Sequence, residues 1–142
     1  MGRRAAQNWK CPNCGRAFAK NNQWHSCEVH TVEDHFRGKP PVLKKTFDRL
    51  VARLGELGPL RVDAVKSTIH FFASKFCFGG VYVRKDHVRL SFLCEDAIQD
   101  TRIVRTLRVG PRRVGHRVKL TSPSDVNERL MSWLRKSYKL QS

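Results

Sequence analysis

The stretch Thr68–Cys94, TIHFFASKFCFGGVYVRKDHVRLSFLC, decides the fold of this chain. It contains three strand-like runs, residues 68–73, 76–84 and 87–94, separated by short turns. The last run alternates apolar and polar residues, as a strand with one buried face does. Because the runs lie too close in sequence for helical crossovers, they predict antiparallel neighbours. Gly79-Gly80 predicts a bulge or a close backbone approach.

Further strand-like runs extend this pattern in both directions. Residues 60–65 precede the central stretch, and residues 102–109 and 114–120 predict a hairpin around the turn 110–113. These make six runs in all, of which we expect one to be broken or merged, leaving five strands.

A helix is predicted at each end of the strand region. Residues 41–57 carry apolar side chains at helical spacing, at Leu43, Phe47, Leu50, Leu54 and Leu57. The closing helix begins at Ser122, a good N-cap, with Pro123 first and Asp125 able to reach back to the cap. The predicted fold class is α+β: an N-terminal zinc knuckle, then an α–β5–α domain with a mainly antiparallel sheet and both helices on one face.

The composition favours a polyanionic partner. The 142 residues include 28 Lys+Arg against 12 Asp+Glu, a formal net charge of +16. Such an excess points to nucleic acid first and to an anionic membrane surface second. No apolar run is long enough to span a bilayer, and the basic N-terminus has no hydrophobic stretch typical of a secretory signal. We therefore expect a cytoplasmic protein with no membrane partner.

Cysteines in that compartment stay reduced, so their spacing suggests metal rather than a disulfide. Cys11 and Cys14 are two residues apart, and Cys27 supplies a third sulfur. The fourth ligand is one of three nearby histidines: His25, His30 and His35. Spacing alone favours His30, although the gap between Cys27 and His30 is shorter than usual for a zinc site. We predict a closed, structural Zn²⁺ site in a module of residues 1–38, followed by the α+β domain at residues 39–142. Two more cysteines lie among apolar strand residues and are expected in the core: Cys77 and Cys94.

The most basic stretch is the predicted hairpin, whose tip can reach a phosphate backbone or a groove. The same charges would equally suit a solvated sheet face. The predicted nucleic-acid contacts are Arg108, Arg112, Arg113 and Arg117, helped by Lys10, Arg16 and Lys20 of the zinc module.

Two other functions stay open. The first is a pocket for a small anion, in a sensor or an enzyme, formed by Lys66, Arg84 and His116. The second is a non-catalytic module for a protein partner, which predicts an exposed apolar patch that includes Trp9 or Trp24. There is no phosphate loop, no nucleophile elbow and no clear carboxylate pair, so the sequence favours a protein that is not an enzyme.

Several segments together resemble an uncharacterised bacterial family, the domain of unknown function 5655, in its form preceded by a cysteine knuckle. They include CPNCGRAF at 11–18, NQWHSC at 22–27, DHFRGKPP at 34–41, FDRLV at 47–51, KSTI at 66–69, FGGV at 78–81 and HRVKL at 116–120. The resemblance covers nearly the whole chain and implies no known activity. It implies His25 as the fourth ligand, with His30 the alternative, because His25-Ser26-Cys27 is similar to the family's pattern.

Overall fold

The computed structural model describes residues 9–12, 17–18 and 30–141. The chain divides into two compact units, Met1–His30 and Thr31–Ser142. In the first unit, β1 (Trp9–Lys10) pairs antiparallel with β2 (Ala17–Phe18), so the chain reverses direction between them. Cys11 follows β1 directly and is buried.

The second unit begins earlier than the predicted boundary at residue 38. A short helix, α1 (Val32–Phe36), belongs to it because the Phe36 ring lies 5.2 Å from the Phe47 ring in the core. The neighbouring His35 is also held there, with its Nε2 2.6 Å from the carbonyl oxygen of Val65.

One antiparallel sheet of six strands forms the body of this unit, in the order β3-β4-β5-β6-β8-β7. The strands are β3 (Arg61–Ala64), β4 (Ile69–Phe72), β5 (Cys77–Val83), β6 (Val88–Cys94), β7 (Ile103–Gly110) and β8 (Arg113–Leu120). The α+β class and the antiparallel sheet are confirmed. The expectation of five strands is wrong, since all six runs form separate strands.

Both predicted helices are present and cover one face of the sheet. α2 (Pro41–Gly55) ends two residues earlier than predicted and buries the predicted stripe except Leu57, which lies beyond its end and is partly buried. α3 (Glu128–Gln141) packs beside α2. The capping box of Ser122 and Asp125 forms as predicted, but it caps a 3-10 turn, Pro123–Asp125. The helix proper begins at Glu128, after Asn127 accepts a hydrogen bond from the Leu130 N–H. None of the helices in the described part of the chain is long and apolar enough to cross a membrane.

The sheet has a bulge beside its glycine pair. The register between β4 and β5 shifts between Phe71 and Phe72, and Phe78 turns into the core. A Cβ atom at Gly80 would lie only 2.6 Å from the carbonyl oxygen of Ile69, so the neighbouring backbone comes too close for a side chain. The bulge and the close approach are both confirmed.

Candidate nucleic-acid interface

The strands present one face to the helices and leave the other, which we call the open face, without a covering element among the described residues. The pairing places one residue of each strand side by side across it. One such row runs His70, Gly80, Ser91, Arg117 and Arg105. The register thus gathers basic, aromatic and very small residues that are far apart in sequence.

Cations dominate the open face. Its strand positions carry Arg61, Arg89, Arg105, Arg117 and Lys119. Asp63 is the one carboxylate at an open-face strand position in the described part of the chain. This face therefore has a large excess of positive charge.

On the helix side, by contrast, three cations have carboxylate partners. These ion pairs are Lys44–Asp48 at 2.9 Å, Arg53–Glu128 at 2.6 Å and Arg129–Asp100 at 3.0 Å. Within residues 30–141, neither Arg89 nor Arg117 forms an ion pair with a carboxylate. Their guanidinium groups are therefore available to bind an external anion.

Aromatic rings hold three of the arginines. The Arg61 guanidinium lies 3.9 Å from the Phe72 ring centre, and Arg89 and Arg84 lie 4.7 Å and 5.2 Å from the Tyr82 ring. Burial lowers the pKa of Arg89, and the positive charges of Arg117 and Arg84 lower it further. Arg89 stays charged at any physiological pH, so these shifts mark a cluster of uncompensated positive charge.

A hollow of about 370 Å³ opens between these groups on the same face. Gly80 and Ser91 lie side by side in it, and Tyr82, His70 and Arg117 surround them. Cys77 also lines it, so its predicted place in the core is wrong, whereas Cys94 is buried as predicted. Burial raises the pKa of the Cys77 thiol, which therefore stays protonated at neutral pH and is a poor nucleophile.

The predicted hairpin residues do not share one surface. Arg117 lies on the open face, whereas Arg108 pairs with Val114 and points to the other side, where it donates to the carbonyl oxygens of Gly110 and Pro111. At the tip, Arg112 forms an ion pair with Glu95, and Arg113 donates to the side chain of Gln141. Lys10 is exposed on β1, and two more predicted contacts lie outside the described residues: Arg16 and Lys20.

The structure does not bring Lys66, Arg84 and His116 together, so the expected anion pocket is wrong. His116 faces the helices and is 2% exposed, stacked 5.3 Å from Phe92. Arg84 lies over Tyr82 on the opposite face, and Lys66 is exposed in the β3–β4 loop. Strand alternation at residues 114–120 correctly indicated that His116 faces the apolar side, which is incompatible with an open anion site.

The predicted zinc ligands lie mostly outside the described residues, namely Cys14, Cys27 and His25. Cys11 and the alternative ligand His30 lie within them. In the sequence, Cys11 follows β1 directly and Cys14 comes before β2. Within the described residues there is no cluster of three metal-binding side chains. The Nε2–H of His35 donates to the carbonyl oxygen of Val65 in the second unit, so this ring nitrogen is not available to a metal.

Sequence reasoning missed several residues of the open face: Arg61, Phe72, Tyr82, Arg89 and Arg105. The alternation along residues 87–94 already placed Arg89, Ser91 and Leu93 on the polar side of one strand. What it could not supply is the neighbouring strand, because strand order and register are tertiary properties.

These features define a class of small α+β domain, with one sheet face covered by helices and the other basic and uncovered by any element among the described residues. The chain belongs to the family described as Domain of unknown function (DUF5655), whose model matches residues 32–141. The resemblance to this family is thereby confirmed for the second unit, and the cysteine segment precedes the matched residues. No curated protein and no solved structure matches the chain.

Proposed function

We propose that this protein binds nucleic acid through phosphate contacts made by the open face of its sheet. The observation that carries the proposal is the group of open-face cations without carboxylate partners, beside ion-paired cations on the helix side. Arg89 and Arg117 form the centre of this surface, with Arg105 and Lys119 next to them. The hairpin tip takes a smaller part, because Arg112 has Glu95 as a partner.

Such binding depends steeply on salt, because each neutralised phosphate releases counterions. If about four cations contact phosphates, the logarithm of the association constant should fall with the logarithm of salt concentration with a slope of roughly −3 to −4. Phosphate contacts carry no base information by themselves, so different sequences should bind with similar affinity.

The test is a titration of labelled DNA and RNA at several salt concentrations with matched pairs of variants. Arg89→Gln with Arg117→Gln removes two open-face charges and should weaken binding at least about tenfold, with a salt slope smaller by about two. Lys45→Gln with Arg135→Gln removes two exposed helix-side charges and should leave the slope unchanged. The proposal would be contradicted if both pairs of variants lost the same affinity, or if the unaltered protein did not bind at low salt.

We also propose that the first unit holds one structural Zn²⁺ through Cys11, Cys14, Cys27 and His25, with His30 as the alternative fourth ligand. The support is the cysteine spacing together with the paired strands on either side of the first two cysteines. Metal analysis of the purified protein should find about one zinc per chain. Cys27→Ser should abolish it, and His25→Ala against His30→Ala should identify the fourth ligand. A metal-free preparation with an intact first unit would disprove the site.

A second candidate function, a module for a protein partner, is favoured by one observation on the edge strand β7. Val104, Leu107 and Val109 there are 61%, 55% and 57% exposed, an unusual exposure of apolar side chains on a sheet edge. Of the two tryptophans expected in an apolar patch, Trp9 is half-buried and Trp24 lies outside the described residues. If a partner adds a strand, its presence should slow hydrogen exchange of the outward β7 amides. Nucleic acid should slow exchange there far less.

A further inference from the structure

The hollow on the open face exists because two neighbouring strands carry very small residues at the same level. Gly80 has no side chain, and Ser91 beside it has only a hydroxymethyl group. Larger groups rise around them: the Tyr82 ring, the His70 ring and the guanidinium of Arg117. The volume of about 370 Å³ lies within the range of small-ligand pockets, roughly 300–1,000 Å³.

The chemistry of the hollow suits a flat ring better than a phosphate. Both His70 ring nitrogens already have partners, since Nε2 lies 3.0 Å from the Thr68 hydroxyl and Nδ1 lies 3.7 Å from the Cys77 sulfur. His70 therefore offers a ring surface rather than a free donor. The Ser91 hydroxyl has no hydrogen-bond partner within residues 30–141, so it remains available to a polar edge of the ligand.

The arginines beside the hollow suit the phosphates on either side of such a ring. Arg89 lies over Tyr82 at one side of the hollow, and Arg117 is the partner of Ser91 on the next strand. A nucleotide combines both chemistries, because its planar base needs an apolar, stacking environment and its phosphate needs a cation.

We propose that the hollow over Gly80 receives one unstacked nucleobase of a single strand, while Arg89 and Arg117 bind the adjacent phosphates. Bases in a duplex are stacked and paired, so they cannot enter the hollow unless the duplex opens. The protein should therefore bind single strands more tightly than duplexes. This inference rests on the proposed function and specifies its substrate class.

The test uses the full chain and probes of about 12 nucleotides: an oligothymidine strand, an abasic strand of equal length and a duplex of equal length. Fluorescence anisotropy at low salt should give an affinity for oligothymidine about tenfold higher than for the abasic strand or the duplex, because each stacked base contributes about that factor. Ser91→Leu fills the hollow. It should reduce oligothymidine binding to the abasic level and leave the abasic strand and the duplex unaffected.

Two controls accompany this variant. Thr106→Leu places a leucine on the opposite side of exposed β7 and should change none of the three affinities. Tyr82→Leu removes the ring beside the hollow and also the ring contact of Arg89. If Ser91→Leu fails to fold by circular dichroism, Tyr82→Leu should weaken oligothymidine binding more than binding of the abasic strand. Thymidine monophosphate should compete weakly, since it lacks the flanking phosphates.

The outcomes separate this inference from the proposed function. Equal binding of oligothymidine and the abasic strand, or a Ser91→Leu loss that is the same for both, overturns the base-binding hollow and leaves phosphate binding intact. If thymidine monophosphate competes with the same affinity as the oligothymidine strand, the ligand is not a polymer and the inference is overturned. Absence of binding to all three probes overturns the proposed function, and the inference with it.

Discussion

At Gly80 a missing side chain determines both the packing of two strands and the surface above them. The sequence motif Gly79-Gly80 predicts the close backbone approach, and the structure bears this out through the Ile69 carbonyl oxygen. The motif does not predict the hollow, because that also requires Ser91 and His70 at the same level on neighbouring strands. The glycine pair alone predicts the close approach of the backbone, whereas the shape of the surface depends on strand register.

His116 is the residue for which burial has the clearest chemical consequence. Burial lowers the pKa of its imidazole below the ordinary value of about 6.5, so the folded protein holds it neutral. The backbone N–H of Ile98 donates to Nε2 at 3.0 Å, which requires that nitrogen to be unprotonated. Both the burial of the ring and this hydrogen bond favour the neutral imidazole.

We expect His116 to make the protein less stable in mild acid. Below about pH 6.5 the unfolded chain takes up a proton at this ring that the folded chain resists, so the free energy of unfolding falls as the pH falls. His116→Gln keeps an acceptor for Ile98 and cannot titrate. In urea unfolding, the stability of the wild type relative to this variant should decline between about pH 7.5 and 5.5. A constant difference over that range would contradict the neutral, buried ring.

At the scale of elements, the sequence predicted most helices and strands because each has a strong local signal. The stripe of α2 and the alternation of β6 are examples. The errors arose where tertiary contacts compete with local patterns. α1 was missed because its five residues are held by the contacts of Phe36 and His35. All six strands persist because each finds a partner in the sheet.

The capping box before α3 yields a prediction at this scale. Partial burial by itself would raise the pKa of Asp125, but hydrogen bonds from Thr121 and Ser122 and the charge of Arg102 outweigh it, so the pKa is lowered. Asp125→Ala should therefore lower the free energy of unfolding by about 1 kcal/mol in chemical denaturation, since three hydrogen bonds to the carboxylate are lost.

The matched control is Asp96→Ala, an exposed acid in the loop after β6. It should change the stability by less than about 0.5 kcal/mol. If the two variants are equally stable, the carboxylate of Asp125 does not hold the start of this helical segment.

At the scale of the whole molecule, the second unit has a complete core of its own. Every member of the buried cluster lies between Phe36 and Tyr138, and the family match covers the same region. Residues 31–142 should therefore fold without the first unit. We expect a cooperative thermal transition by circular dichroism within about 5 °C of that of the full chain. Zinc chelation should leave this transition unchanged in the full chain, and an unfolded or aggregated fragment would show that the first unit is required.

The sequence by itself determined the α+β class, the antiparallel sheet, the buried helix stripes and the excess of positive charge, because these depend on local periodicity and composition. It also pointed to a cysteine segment as a zinc site, which stays a prediction. Only the tertiary structure decided where the charge is exposed. Arg61, Arg89 and Arg117 are separated in sequence, and strand order and register bring them to one open face while other cations pair with carboxylates on the helix side. The physical reason is that an ion pair or a basic surface depends on distances in space, which the spacing of residues along the chain does not specify.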